Sequence, residues 1–150
     1  MKILFLCTGN TCRSPMAEGI FQKMLRESGT TDVACQSAGL STTDGLPVTE
    51  NAVTVCREIG VDISAHRSRR LTMQEAKTAD LLAVMTQTHA SMLQAAGIPQ
   101  AKIYVLGSEI PDPYGGSVEI YRICRNKIET ALKELQKRVE NCELRTEEST

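Results

Sequence analysis

The run Lys2-Ile3-Leu4-Phe5-Leu6 constrains the fold most tightly. Four consecutive apolar residues without alternation fit a strand buried on both faces, not a surface strand. Such a strand needs helices above and below it. The segment leaving it, Cys7-Thr8-Gly9-Asn10-Thr11-Cys12-Arg13-Ser14-Pro15, turns at once into a helical pattern. Ser14 is a candidate cap and Pro15 suits a first helical position.

The same alternation continues along the chain. Helix is expected over 14–28, with Met16, Ile20 and Met24 on one face and Gly29 as the stop. Residues 32–37 read as a second strand. Residues 48–59 read as a helix bearing Val48, Ala52, Val55 and Ile59, with Gly60 after it. Asp80 to Met85 and Lys102 to Leu106 read as strands, with helical stretches near 72–78 and 87–96. The last helix carries Ile120, Cys124, Ile128, Ala131, Leu135 and Val139 as one stripe, with Glu129/Lys133 and Glu134/Arg138 as solvent-side pairs. Strands alternating with helices predict an α/β fold: a parallel sheet flanked by helices on both faces. No repeat or linker interrupts it, so residues 1–150 read as one domain with a frayed tail at 143–150.

Composition narrows the function. Seventeen bases stand against 18 acids, and aromatics make up 3% with no Trp. Neither a nucleic-acid partner nor a membrane surface is expected. Six cysteines, Cys7, Cys12, Cys35, Cys56, Cys124 and Cys142, form no CxxC pair and no zinc-finger spacing with His66 or His89. The N-terminal apolar run is too short for a signal peptide. The expectation is a cytoplasmic protein with reduced thiols and no cofactor.

In a parallel sheet, ligands sit beyond the carboxyl ends of the strands. That brings together the loop after the first strand and the loop after the fourth. A short loop ending at a helix N-terminus points amides inward, a cradle for an anion. Gly9 and Asn10 tolerate the left-handed backbone such a loop needs. Arg13 presents a fork that matches phosphoryl oxygens. The same positive field favours the anionic form of the Cys7 sulfur, and the Ser14 hydroxyl is placed to donate to it. The expected chemistry is in-line attack on phosphorus that leaves a phosphocysteine. In the second loop, Asp112-Pro113-Tyr114-Gly115-Gly116 supplies Asp112 as general acid for the leaving group and later as base toward water. No GxxxxGK[ST] sequence occurs, which excludes an ATP-type loop.

CTGNTCRSPMAE resembles the signature of the low-molecular-weight protein tyrosine phosphatases. The resemblance continues through Ser37-Ala38-Gly39, Asp62 to Ser68, Ala79 to Thr86 and Asp112-Pro113-Tyr114, nearly the whole chain. It implies a four-stranded, Rossmann-like parallel sheet without metal, with Cys7, Arg13 and Asp112 catalytic. It also implies substrate contacts from Thr8, Gly9, Asn10, Thr11, Cys12, Ser14, Leu40 and Tyr114. Position 11 departs from the tyrosine-specific pattern, CxGNICRS, which carries an aliphatic residue there. Thr11, with Asp112 to Ser117, resembles the bacterial protein arginine phosphatases. Phosphoarginine has a strongly basic leaving group, whose conjugate acid has a pKa above ~12. Acceptors at Thr11 and Asp112 suit it. Leu40-Ser41-Thr42 stands where tyrosine-specific relatives place an aromatic. Arginine-phosphorylated proteins are therefore the expected partners of a monomeric enzyme, with a tyrosine phosphatase as the alternative.

Cys12 lies five positions from Cys7, close enough in sequence to act as its redox partner if the Cα atoms come within ~4.4–6.8 Å. Family behaviour supports reversible oxidation. Cys35, Cys56 and Cys124 read as inert core, and Cys142 as incidental. His66 and His89 read as structural and remote from the Cys7 loop. Arg67, Arg69 and Arg70 read as a solvated basic cluster. Other classes fit less well. A cysteine phosphocarrier does not need Arg13 and Asp112, and a thiol arsenate reductase calls for a cysteine pair near 80–90 that this chain lacks; a phosphoprotein-binding module is set apart by releasing no phosphate from any substrate.

Overall fold

The computed structural model describes residues 1–141 and 143–144. Four strands, β1 (Lys2–Cys7), β2 (Ala34–Gly39), β3 (Leu81–Val84) and β4 (Ile103–Val105), form one parallel sheet in the order β2-β1-β3-β4. β1 is interior to the sheet, and Ile3 to Leu6 are wholly shielded from solvent. Its alternate side chains divide between two cores. Ile3, Phe5 and Cys7 face α1 (Arg13–Glu27), α2 (Glu50–Arg57) and α5 (Val118–Glu140). Leu4 and Leu6 face α3 (Met73–Thr78) and α4 (Gln87–Ala95). The unbroken apolar run exists because both faces of this strand are buried.

Several boundaries differ from those expected. β2 runs to Gly39, not Ser37, because its parallel register carries Cys7↔Gly39 to the end of β1. Ser37-Ala38-Gly39 contains no strong β-former, so pairing rather than propensity holds it extended. β4 is preceded by a single 3₁₀ turn at Gln100–Lys102. The residue before α1 is Cys12, and Ser14 lies within the first turn with its side chain turned toward Cys7, so it does not cap. Pro15 is accordingly the third residue of the helix. Gly29, at φ 70°, ends α1 as expected, and Thr30 N–H reaches back to Leu25 O.

On α5, Ile120 is exposed and Tyr121 is buried in its place. Tyr121 lies seven residues, nearly two full turns, before the buried Ile128, whereas Ile120 lies eight residues before it and is swung about 80° off that stripe. Ser117 caps this helix by accepting from Ile120 N–H. Glu134 and Arg138 pair as expected, at 3.9 Å. The expected frayed tail does not begin at 143: Glu143 N–H bonds Arg138 O, and Leu144 packs against the larger core. The rest of that tail and Cys142 lie outside the described residues. No helix among the described residues is long and apolar enough to cross a membrane.

Candidate active site

Cys7 ends β1, the next five residues curl, and Arg13 opens α1. The curl encloses a cavity of about 170 Å³ lined by Cys7, Thr8, Gly9, Thr11, Cys12 and Arg13, with Asp112 and Tyr114 closing it from the loop after β4. The two loops expected to meet beyond the sheet do meet.

Two donors converge on the Cys7 sulfur: Ser14 Oγ at 2.9 Å and the backbone N–H of Asn10 at 3.3 Å. The direction of the first follows from its surroundings. Asn10 Oδ1 accepts from Arg69 N–H (3.0 Å) and from His66 Nε2 (3.1 Å), so its amide nitrogen points the other way. That nitrogen donates to Ser14 Oγ (2.8 Å) and to Ser37 Oγ (3.0 Å). Ser14, its oxygen already an acceptor, is left to donate its proton to sulfur. Ser37 in turn donates to Glu18 Oε1 at 2.5 Å. The sulfur thus accepts from a hydroxyl and from a loop amide. Asn10 adopts φ 57°, and its buried amide spans the inside of the curl. Gly9 does not share the left-handed backbone expected of it.

His66 is therefore not remote from the loop. Burial depresses its pKa, while Glu18, 3.8 Å from Nδ1, opposes the shift. His89 is not remote either: its Nε2 lies 2.9 Å from Thr8 Oγ1. Nothing local in the sequence announces either contact, since 56 and 81 residues separate the partners. Arg69, expected to be solvated, is half-buried and pairs with Glu75 as well as holding Asn10 through its backbone. Arg67 and Arg70 are exposed, as expected.

Arg13 is buried and anchored by donating to Ile110 O at 3.0 Å; its other terminal nitrogen lies 3.8 Å from Asp112 Oδ2. Asp112 is half-exposed, and its Oδ1 accepts Tyr114 N–H at 3.0 Å, which fixes the carboxyl over the cavity mouth. Tyr114 stands at the rim with 72% of its surface in water.

Thr11 borders a second depression, shared with Gly9 and formed otherwise by Ser41, Thr42, Thr43 and Leu46. That wall carries hydroxyls and no aromatic ring. Leu40 is not part of it. It packs with Ala38 on the opposite face of the sheet, because successive strand residues point to opposite sides. Cys12 is buried behind the curl, its sulfur 3.4 Å from the Tyr121 hydroxyl and 3.5 Å from Thr49 Oγ1. Burial, then the contact with Cys12, pushes Tyr121 up to about 12. Cys7 and Cys12 are both free thiols. Cys35, Cys56 and Cys124 are pushed up to about 12, chiefly by burial, as suits inert core residues. No cluster of metal-binding side chains occurs among the described residues.

Comparison with known proteins adds a third line. Residues 2–144 match the family model described as low molecular weight phosphotyrosine protein phosphatase. The protein-arginine-phosphatase of Bacillus subtilis is 35% identical over 147 residues, covering 93% of this chain and 97% of that protein. The low molecular weight protein-tyrosine-phosphatase Etp of Escherichia coli is 33% identical over 144 residues, covering 92% and 94%. Among solved structures, a serine mutant of YwlE arginine phosphatase with its active site serine phosphorylated superposes with a TM-score of 0.87 at 33% identity, covering 93% of this chain and 96% of that one.

Proposed function

This chain belongs to the low molecular weight phosphotyrosine protein phosphatase family, and from that premise we propose that it hydrolyses phosphoarginine in proteins through a phosphocysteine on Cys7. In this reading the phosphoryl group lies in the curl, its oxygens held by loop amides and Arg13. The Cys7 thiolate attacks phosphorus as the P–N bond breaks, and Asp112 gives its proton to the departing guanidine nitrogen. Water then loses a proton to Asp112 and attacks phosphorus. The S–P bond breaks, the thiolate returns and inorganic phosphate leaves. Arg13 balances the charge that builds on the equatorial oxygens in both steps. The phosphorylated active site serine in the YwlE relative supports a covalent route.

The observation that carries the choice of substrate is the hydroxyl-lined lip formed by Thr11 with Ser41, Thr42 and Thr43. A guanidine offers donors that need acceptors, and a phenyl ring would need apolar faces. The exposed ring of Tyr114 and the exposed Leu46 side chain of the lip favour a tyrosine substrate instead. Cys12 completes the reading as redox partner: peroxide oxidises Cys7 to a sulfenic acid, which condenses with the Cys12 thiol, releasing water.

Matched peptides bearing phosphoarginine or phosphotyrosine, with Cys7→Ala as blank, test the assignment. The expected result is faster release of phosphate from phosphoarginine by about tenfold or more, the scale of one hydrogen bond to a charged group. Thr11→Ile is expected to lose about that factor on phosphoarginine and to gain on phosphotyrosine. A wild-type preference for phosphotyrosine overturns the assignment. A Thr11→Ile enzyme with unaltered preference overturns the role of Thr11.

A further inference from the structure

His89 is 4% exposed at the start of α4, on the far side of the sheet from the Asn10 network. Burial first, and the neighbouring Arg13 second, hold its pKa down to about 4 against the opposing pull of Asp112 and Glu109. At neutral pH the ring carries one proton, and both nitrogens have hydroxyl partners. Nδ1 is 3.1 Å from Thr86 Oγ1, and Nε2 is 2.9 Å from Thr8 Oγ1. Thr86 Oγ1 already accepts the His89 backbone N–H, as the cap of α4.

Two arrangements of protons are available. In one, Thr86 donates to Nδ1, Nε2–H donates to Thr8, and the Thr8 hydroxyl has its own proton free. In the other, Nδ1–H points at Thr86, and Thr8 spends its proton on Nε2. The second turns only oxygen lone pairs toward the cavity that Thr8 lines. An anion there repels lone pairs and attracts a donor, so a bound phosphoryl group selects the first arrangement.

We propose that His89 is a positioning residue which, as its Nε2–H tautomer, turns the Thr8 hydroxyl proton onto the bound phosphoryl group. The chain Thr86–His89–Thr8 supplies the loop with a side-chain donor in addition to its amides and Arg13. It acts on the phosphoryl oxygens and not on the leaving group. This role rests on the reading that the Cys7 curl holds a phosphoryl group, but it is indifferent to which amino acid carries it.

The test uses inorganic phosphate and a small aryl phosphate, whose binding does not depend on the arginine assignment. Thr8→Val is expected to weaken inhibition by phosphate about tenfold, and His89→Ala to weaken it by a smaller factor, because the Thr8 hydroxyl survives there without being oriented. KM for the aryl phosphate should rise in step, and kcat should move less. The double variant should lose no more than Thr8→Val alone, because His89 acts only through the Thr8 hydroxyl. His89→Gln, whose amide can still donate to Thr8, should recover part of the loss. Long-range ¹H–¹⁵N correlation spectra of the wild-type protein with phosphate bound should show a neutral His89 protonated on Nε2. A ring protonated on Nδ1 overturns the proposal, as does full additivity of the two substitutions. If His89→Ala does not fold, His89→Gln and the tautomer decide. Wild-type protein that binds no phosphate removes the phosphatase reading as well, whereas normal wild-type binding untouched by Thr8→Val removes the relay alone.

Discussion

Gly39 illustrates how closely single residues fit around the curl. It ends β2 opposite Cys7, and a Cβ built on it would stand 2.9 Å from the Thr8 carbonyl oxygen and 2.7 Å from Thr42 Cγ2. The methyl of Thr42 can swing aside; the carbonyl belongs to the loop backbone and cannot. Gly39→Ala is therefore expected to push the curl off its geometry. The cost should be about 1–3 kcal/mol of stability and about tenfold or more in kcat/KM on an aryl phosphate. Melting curves and steady-state rates measured together check it, and an unchanged kcat/KM would show that the loop tolerates the shift. At this scale the sequence was legible as to which residues come together, since Cys7, Arg13, Thr11 and Asp112 line one cavity. It was not legible for His66 and His89, whose contacts with the curl exist only once distant segments are side by side. Leu40 was readable but misread. The two-residue period through Ala38 assigns it to the face away from Cys7.

Between elements, the clearest joint is the ionic clasp that ties α2 to α5. Glu58, just beyond α2, takes hydrogen bonds from Arg122 and from Arg125, and Arg125 also donates to Val55 O at 2.9 Å. The hydrogen bond from Arg122 leads in pulling the Glu58 carboxyl down to about 2, against the smaller opposing effect of burial. A carboxyl whose folded pKa lies below its unfolded value stabilises the fold at higher pH. That stability is lost as pH falls through the interval between the two. For Glu58 the interval runs from the ordinary 4.5 to about 2. Glu58→Gln is expected to lower the urea midpoint at pH 7 and to match wild type near pH 2. The gap should shrink in high salt, because the clasp is solvent-accessible. A gap that persists at pH 2 would point to packing instead of charge. Strand and helix types were legible from periodicity alone. The end of β2 was not, because register with β1 decided it; Tyr121 was readable but misread, since the seven-residue step back from Ile128 keeps it on the buried stripe.

For the molecule as a whole, the parallel sheet with helices on both faces followed from one doubly buried strand and the alternation of elements after it. The meeting of the Cys7 and Asp112 loops followed from that topology. The hydroxyl lip did not, since it needed Ser41 to Thr43 to be folded back beside Thr11. At the rim of the cleft, Tyr114 holds its ring 72% in water. A peptide chain lying across the mouth would dehydrate that ring. Association with a phosphopeptide should then carry a negative heat-capacity change, measurable by calorimetry on Cys7→Ala at several temperatures. Tyr114→Ala should make that change smaller, and equal values for the two proteins would mean that bound chains leave the ring as wet as they find it.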